Sequence, residues 1–200
     1  MNEKARSCAA WCAALIILCG ALAFFNMPDA AKGGDALPPA APENHESDAP
    51  FGHEPGERLP DFTLTKTDGG AFTLSAQRGK VAVINLWATW CTPCVNELPY
   101  FEKLRQAHGG DVSILAIHSD LITDDVQAYL ANYDYGMDFA VDETGDVVAL
   151  LGGSTMLPQT VVLDPYGVVT YNKVGSVTYE ALEELYQAAL AGERGKADNQ

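Results

Sequence analysis

Two thiols, Cys91 and Cys94, lie in the run Trp87-Ala88-Thr89-Trp90-Cys91-Thr92-Pro93-Cys94, between an apolar stretch and an amphipathic one. A Cys-X-X-Cys pair in that setting suits thiol–disulfide exchange, because its first sulfur is expected at a helix start. Residues 80–87 are too continuously apolar for a half-exposed strand and predict one buried on both faces. Beyond Cys94, apolar residues recur at Val95, Leu98, Phe101, Leu104 and Ala107, the spacing of an amphipathic helix. Cys91 should therefore meet backbone N–H groups that have no intrahelical partner, at the positive end of the helix dipole. Thiols so placed ionise with pKa values of roughly 3.5–7.5, against about 8.5 for free cysteine. Cys91 is assigned as the attacking nucleophile, and Cys94, one turn further on and expected to be more buried, as the resolving thiol. Pro93 forfeits no helix hydrogen bond in the first turn and stiffens the bridge between the sulfurs.

Metal binding is the other use of such a pair. The remaining cysteines, Cys8, Cys12 and Cys19, all precede residue 20, so a four-cysteine zinc site is unavailable within the domain. A mixed site would need His108, His118 or carboxylates to converge on the pair; His118, after a strand end, reads as a loop or surface histidine. The three early cysteines read as small apolar residues with no part in the redox chemistry.

The elements that position the pair occupy only part of the chain. Its 200 residues, 48% of them apolar, suffice for one globular domain with chain to spare at the front. Lys4 and Arg6 precede an uncharged stretch over residues 9–25, so residues 1–26 are assigned as a signal peptide or N-terminal membrane anchor. Ala21-Leu22-Ala23 offers a cleavage site, but Phe24 and Phe25 follow it, and Cys19 follows Leu18 where lipidation calls for a small residue. Residues 27–57 carry Pro28, Pro38, Pro39, Pro42, Pro50 and Pro55 among Ala, Gly and acidic residues, which predicts a disordered tether. The domain is assigned to residues 58–192 and a flexible tail to 193–200. With Lys4 and Arg6 on the cytoplasmic side, anchor and tether put that domain outside the cytoplasm, near the membrane. The net charge of −15, of which −10 falls from Arg58 onward, argues against nucleic acid and against adsorption to anionic lipid.

Within the domain, residues 62–65 and 71–74 alternate around Asp68-Gly69-Gly70 and predict a β-hairpin. Residues 112–117 form a second apolar strand, and residues 123–133 begin like a helix capped by Thr123, Asp124 and Asp125. A short strand at 139–141 and a helical segment at 147–151 follow. Strands at 160–164 and 168–171 flank the turn Pro165-Tyr166-Gly167, and a closing helix spans 179–191. Strand, helix, strand in this order implies a right-handed parallel crossover, so the fold class is α/β, a mixed sheet flanked by helices.

The run from Val83 to Cys94, with Glu97 and Pro99 after it, resembles the TlpA/ResA family of envelope thiol-disulfide oxidoreductases, over roughly residues 58–192. The resemblance implies a thioredoxin-like fold with an N-terminal β-hairpin extension, and the redox pair Cys91–Cys94 in place of any cofactor or metal. It implies that Pro158, in Met156-Leu157-Pro158-Gln159-Thr160, is the cis proline facing the cysteines. Leu157 would then present its backbone to an extended substrate, with Trp90, Thr92 and Pro93 at the substrate-facing rim. Glu97 would lie near the pair, opposing thiolate formation and helping to move protons. Asn85 stands where thioredoxin itself has a buried acid, a departure toward the TlpA/ResA type.

The implied activity is reduction of disulfides in envelope proteins, cytochrome c maturation substrates among them, by a monomer that draws electrons from a DsbD/CcdA-type membrane donor. Proline beside Cys94 resembles reducing members more than strong oxidants, although the same residues run backwards would form disulfides. Two readings outside this activity fit less well. The Thr and Pro that precede a peroxidatic cysteine in peroxiredoxins are absent. Sco-type copper proteins separate their cysteines by three residues, where this chain has two.

Overall fold

The computed structural model of the protein describes residues 49–119 and 126–192. After an antiparallel hairpin of β1 (Thr63–Thr65) and β2 (Ala71–Thr73), the order is β3 (Val81–Trp87), α1 (Thr92–His108), β4 (Val112–His118) and α2 (Val126–Leu130). Then come β5 (Asp138–Val141), α3 (Asp146–Leu150), β6 (Gln159–Leu163), β7 (Val169–Val174) and α4 (Tyr179–Leu190). The main sheet runs β5-β4-β3-β6-β7. Its first three strands are parallel, whereas β6 joins β3 and β7 joins β6 antiparallel.

β3 lies at the centre and is buried at every position. Its odd-numbered residues Val81, Val83 and Trp87 pack with Leu98, Phe101 and Leu104 of α1, Val126 of α2, and Leu182 and Leu185 of α4. Its even-numbered residues Ala82, Ile84 and Leu86 pack with Leu59, Phe62, Phe72 and Leu74 around the hairpin and with Val147 and Leu151 around α3. Each large side chain buried this way contributes roughly 1.5–3 kcal/mol. The strand reads as an unbroken apolar run because neither face meets water.

Polar ties set the helices on the sheet. Thr178 caps α4 by accepting from the Ala181 N–H. At the far end of α1, His108 bonds Glu183 at 2.9 Å and stacks on Tyr186. With a rise of about 1.5 Å per residue, that histidine lies roughly 20 Å along the helix from Cys94 and cannot join it at a metal. Glu102 is buried and accepts from Arg105, Gln106 and the N–H groups of Gly136 and Met137. Burial pushes its carboxyl upward, but these donors outweigh that and hold it below the ordinary glutamate value. It thereby fixes α1 to the chain entering β5.

Two boundaries differ from the sequence reading. Residues 50–57, assigned to the tether by composition, are hydrogen-bonded into the fold: Gly56 donates to Val169 and Val169 donates to Glu57. Too short to show periodicity, this stretch gains its order from the β7 edge. His118, read as a loop or surface residue, is buried at the end of β4 with its ring edge-on to Trp87. The capping residues 123–125, the segment 1–26, most of the tether and the tail 193–200 lie outside the described residues. Among the described residues no helix is long and apolar enough to cross a membrane.

Replacing Glu102 with Ala leaves Arg105 and two loop N–H groups without their acceptor. It should cost about 3 kcal/mol in urea-denaturation stability at neutral pH; a loss below about 1 kcal/mol would mean the carboxylate does not hold α1 to β5.

Candidate functional site

β3 ends at Trp87, and one turn carries the chain into α1, with the Cys91 N–H donating to the Ala88 carbonyl at 3.1 Å. Cys91 is the N-cap residue, and its Sγ accepts from the Cys94 N–H at 3.4 Å. The two cysteines are joined as a disulfide with Cα atoms 5.3 Å apart. Cys91 is slightly accessible and Cys94 fully buried. Pro93 occupies the second helical position, where its missing N–H leaves no bond unmade. On reduction, the same unsatisfied N–H groups are in place to stabilise a Cys91 thiolate.

Glu97, one turn beyond Cys94, is 1% exposed and does not face a lysine. Its Oε1 accepts from Asn85 Nδ2 at 2.8 Å and its Oε2 from the Val177 N–H at 2.9 Å. Burial raises its carboxyl to about 7, against the pull of those two donors. Val177 belongs to the same buried cluster as Cys91 and Cys94. A buried acid with a carboxyl raised toward neutrality thus lies one turn along α1 from Cys94, bonded to a residue of the cluster that holds both sulfurs.

The loop before β6 closes the other side. The Leu157–Pro158 bond is cis, and the Gly175 N–H donates to the Pro158 carbonyl at 2.9 Å. Leu157 packs against the cluster that holds both cysteines. Among the described residues its backbone N–H and C=O take no hydrogen bond. Trp90 and Leu157 together line a cleft of about 300 Å³ that also meets Ser119, Val148 and Ser154. Trp90, 60% exposed, stands at the rim with the exposed Thr92 and Pro93.

Of the residues singled out from sequence, the structure packs Leu157 against the cluster of Cys91 and Cys94 and places it with Trp90 on one cleft; Thr92, Pro93 and Glu97 lie in the first two turns of α1, and Pro158 follows Leu157, whereas His108 lies at the far end of the helix. His118 lies nearby, but its Nε2 accepts from the Thr89 N–H at 3.3 Å. Among the described residues no group of three or more His, Cys, Asp or Glu side chains is gathered for a metal. Sequence reasoning missed the Asn85–Glu97 bond and the Val177 N–H. Asn85 was the available signal, the one polar residue inside an otherwise apolar strand that is buried at every position.

Comparison with known proteins agrees with this geometry. The Redoxin family pattern matches residues 54–189. The chain is 32% identical over 132 residues to the thiol-disulfide oxidoreductase ResA of Bacillus thuringiensis, covering 66% of this chain and 76% of that protein. It is 29% identical to the thioredoxin-like protein YneN of Bacillus subtilis, over 66% of this chain and 79% of that one. Among solved structures, a Chlorobium tepidum chain assigned as a thiol:disulfide interchange protein DsbE is 29% identical, with a TM-score of 0.60. The alignment covers 66% of this chain and 95% of that one. The exposed lipoprotein thioredoxin of Streptococcus pneumoniae, 24% identical with a TM-score of 0.58 over 64% of this chain and 98% of its own, shares the fold.

The raised Glu97 carboxyl has a sign that can be checked. Between its ordinary value of 4.5 and about 7, the unfolded chain gives up this proton while the native protein keeps it, so stability falls as pH rises through that window. Denaturation by urea at pH 4.5 and 7.5 should show the wild type losing about 3 kcal/mol that Glu97→Gln does not lose. Parallel curves for the two proteins would exclude a buried acid titrating near neutrality.

Proposed function

The chain belongs to the Redoxin family, among its ResA-like thiol-disulfide oxidoreductases, and from that premise we propose that it reduces disulfides in proteins outside the cytoplasm, tethered to the membrane. The observation that carries the reading is the free backbone of Leu157 packed beside a helix-capping Cys91. A segment of partner protein laid along Leu157 as an added strand brings its disulfide to the Cys91 sulfur.

The Cys91 thiolate attacks one sulfur of the partner's disulfide, and the other partner sulfur leaves as a thiolate. Cys94 then loses its proton and attacks the Cys91 sulfur. The partner departs as a dithiol and the Cys91–Cys94 disulfide remains, so two electrons have passed to the partner. Glu97 is the buried group suited to accept the Cys94 proton. Turnover needs a dithiol of lower potential; a membrane donor of the DsbD/CcdA type fits, and the apolar segment before residue 26 would keep the domain within its reach. Support for an envelope location comes from that segment, the Pro-rich stretch behind it and the likeness to ResA-type proteins. Proteins of cytochrome c maturation are the proposed substrates.

Cys94→Ser should accumulate a mixed disulfide between Cys91 and its partner that is isolable on non-reducing gels, while Cys91→Ser traps nothing. The Cys91/Cys94 reduction potential should fall near or below about −270 mV; a value near −120 mV would overturn the reducing direction. Glu97→Gln removes a negative charge near the forming thiolate and should move the pH profile of Cys91 alkylation to lower pH. An unchanged profile would remove Glu97 from the mechanism.

A further inference from the structure

The loop between α3 and β6 carries Leu157, yet little within it holds its shape. Gly152 and Gly153 both take positive φ, 107° and 66°, where the backbone has its widest freedom. Inside the loop, the Ser154 hydroxyl bonds the Met156 N–H and carbonyl. The bracing comes from behind. Gln159, the first residue of β6, is 3% exposed, and its Nε2 donates to the Leu151 carbonyl at 2.9 Å and to Asn172 Oδ1 at 2.7 Å. Asn172 of β7 donates through Nδ2 to the same Leu151 carbonyl at 3.1 Å and to the His53 carbonyl at 3.0 Å. One carbonyl at the start of the loop is thus bound to the residue that ends it, and both are tied to the neighbouring strand.

The surroundings decide which way both amides point. Turned over, Gln159 would aim its oxygen at two acceptors, and Asn172 would aim its own at two carbonyls. Cross-strand geometry makes the pair possible, because Gln159 lies opposite Val174 and Asn172 opposite Val161, which puts the two amides diagonally on one face. The His53 ring then packs 3.0 Å from where a Gly152 side chain would begin, adding residues 50–58 to the brace.

We infer that Gln159 and Asn172 are positioning residues, an amide clamp that closes the Leu151–Gln159 loop and holds Leu157 ready to pair with a partner's backbone. The inference rests on the reading that Leu157 receives an extended protein segment. A clamp of this kind acts on docking and leaves the sulfur chemistry alone. Its loss therefore weakens binding of protein disulfides far more than reaction with small ones.

The test is steady-state reduction of insulin by the full-length chain, recycled with dithiothreitol, beside single-turnover reaction of its reduced form with 5,5′-dithiobis(2-nitrobenzoate). Asn172→Ala should raise the KM for insulin about tenfold with kcat nearly unchanged, the size of one net buried hydrogen bond. The rate with the small disulfide should change at least fivefold less. Asn172→Asp, which keeps the shape and loses both donors, and Gln159→Met should behave alike, so the test survives if one variant fails to fold. Amide exchange over residues 152–157 should quicken in each variant while β3 stays protected. An insulin KM within twofold of wild type, or an equal loss with both disulfides, would overturn the clamp. A wild type that reacts with the small disulfide and not with insulin would instead overturn the protein-reductase reading beneath it.

Discussion

β3 can deliver the chain to Cys91, one turn beyond its end at Trp87, only because both of its faces are covered, one by α1, α2 and α4 and the other by the hairpin and α3. A strand so enclosed delivers its last residue to a fixed point, and one turn later α1 begins with its unpaired N–H groups at the Cys91 end. The redox pair is thus anchored by its strand and activated by its helix. The core exists in two layers because the sheet must be buried on both sides for its central strand to hold that position.

The same enclosure makes Glu97 expensive. Its carboxylate has been taken out of water and given two donors, Asn85 and the Val177 N–H, which do not fully replace hydration. The carboxyl therefore rises to about 7 and sits between protonation states at neutral pH. The carboxyl also ties α1 to β3 through Asn85 and to the segment before α4 through the Val177 N–H. Asn85 shows how the strand accommodates it: where an acid on β3 could serve, the strand supplies an amide and the helix supplies the acid.

The loop carrying Leu157 and Pro158 solves a different problem. Among the described residues the Leu157 backbone takes no hydrogen bond, so this part of the loop is not ordered by the bonds that order most chain segments. Its order comes instead from side chains behind it and from residues 50–57, which compositional reading assigned to the tether. A Pro-rich segment that looks unable to build a core can still add an edge to one, since the partners for its backbone bonds come from β7.

Much of this was legible in the chain itself. The continuous apolar run of β3, the three- and four-residue spacing of α1 and the Cys-X-X-Cys between them are local patterns, and they place the thiol pair at a helix start. Such patterns depend on neighbours within a turn or a strand, so sequence states them directly. What Glu97 touches, that His118 is buried, and that Gln159 and Asn172 share one carbonyl were decided by the tertiary structure. The bonds Asn85–Glu97, Val177–Glu97 and Asn172–His53 join residues 12, 80 and 119 apart. No local period encodes such pairings; they form only when the sheet brings distant strands and loops together around the sulfurs.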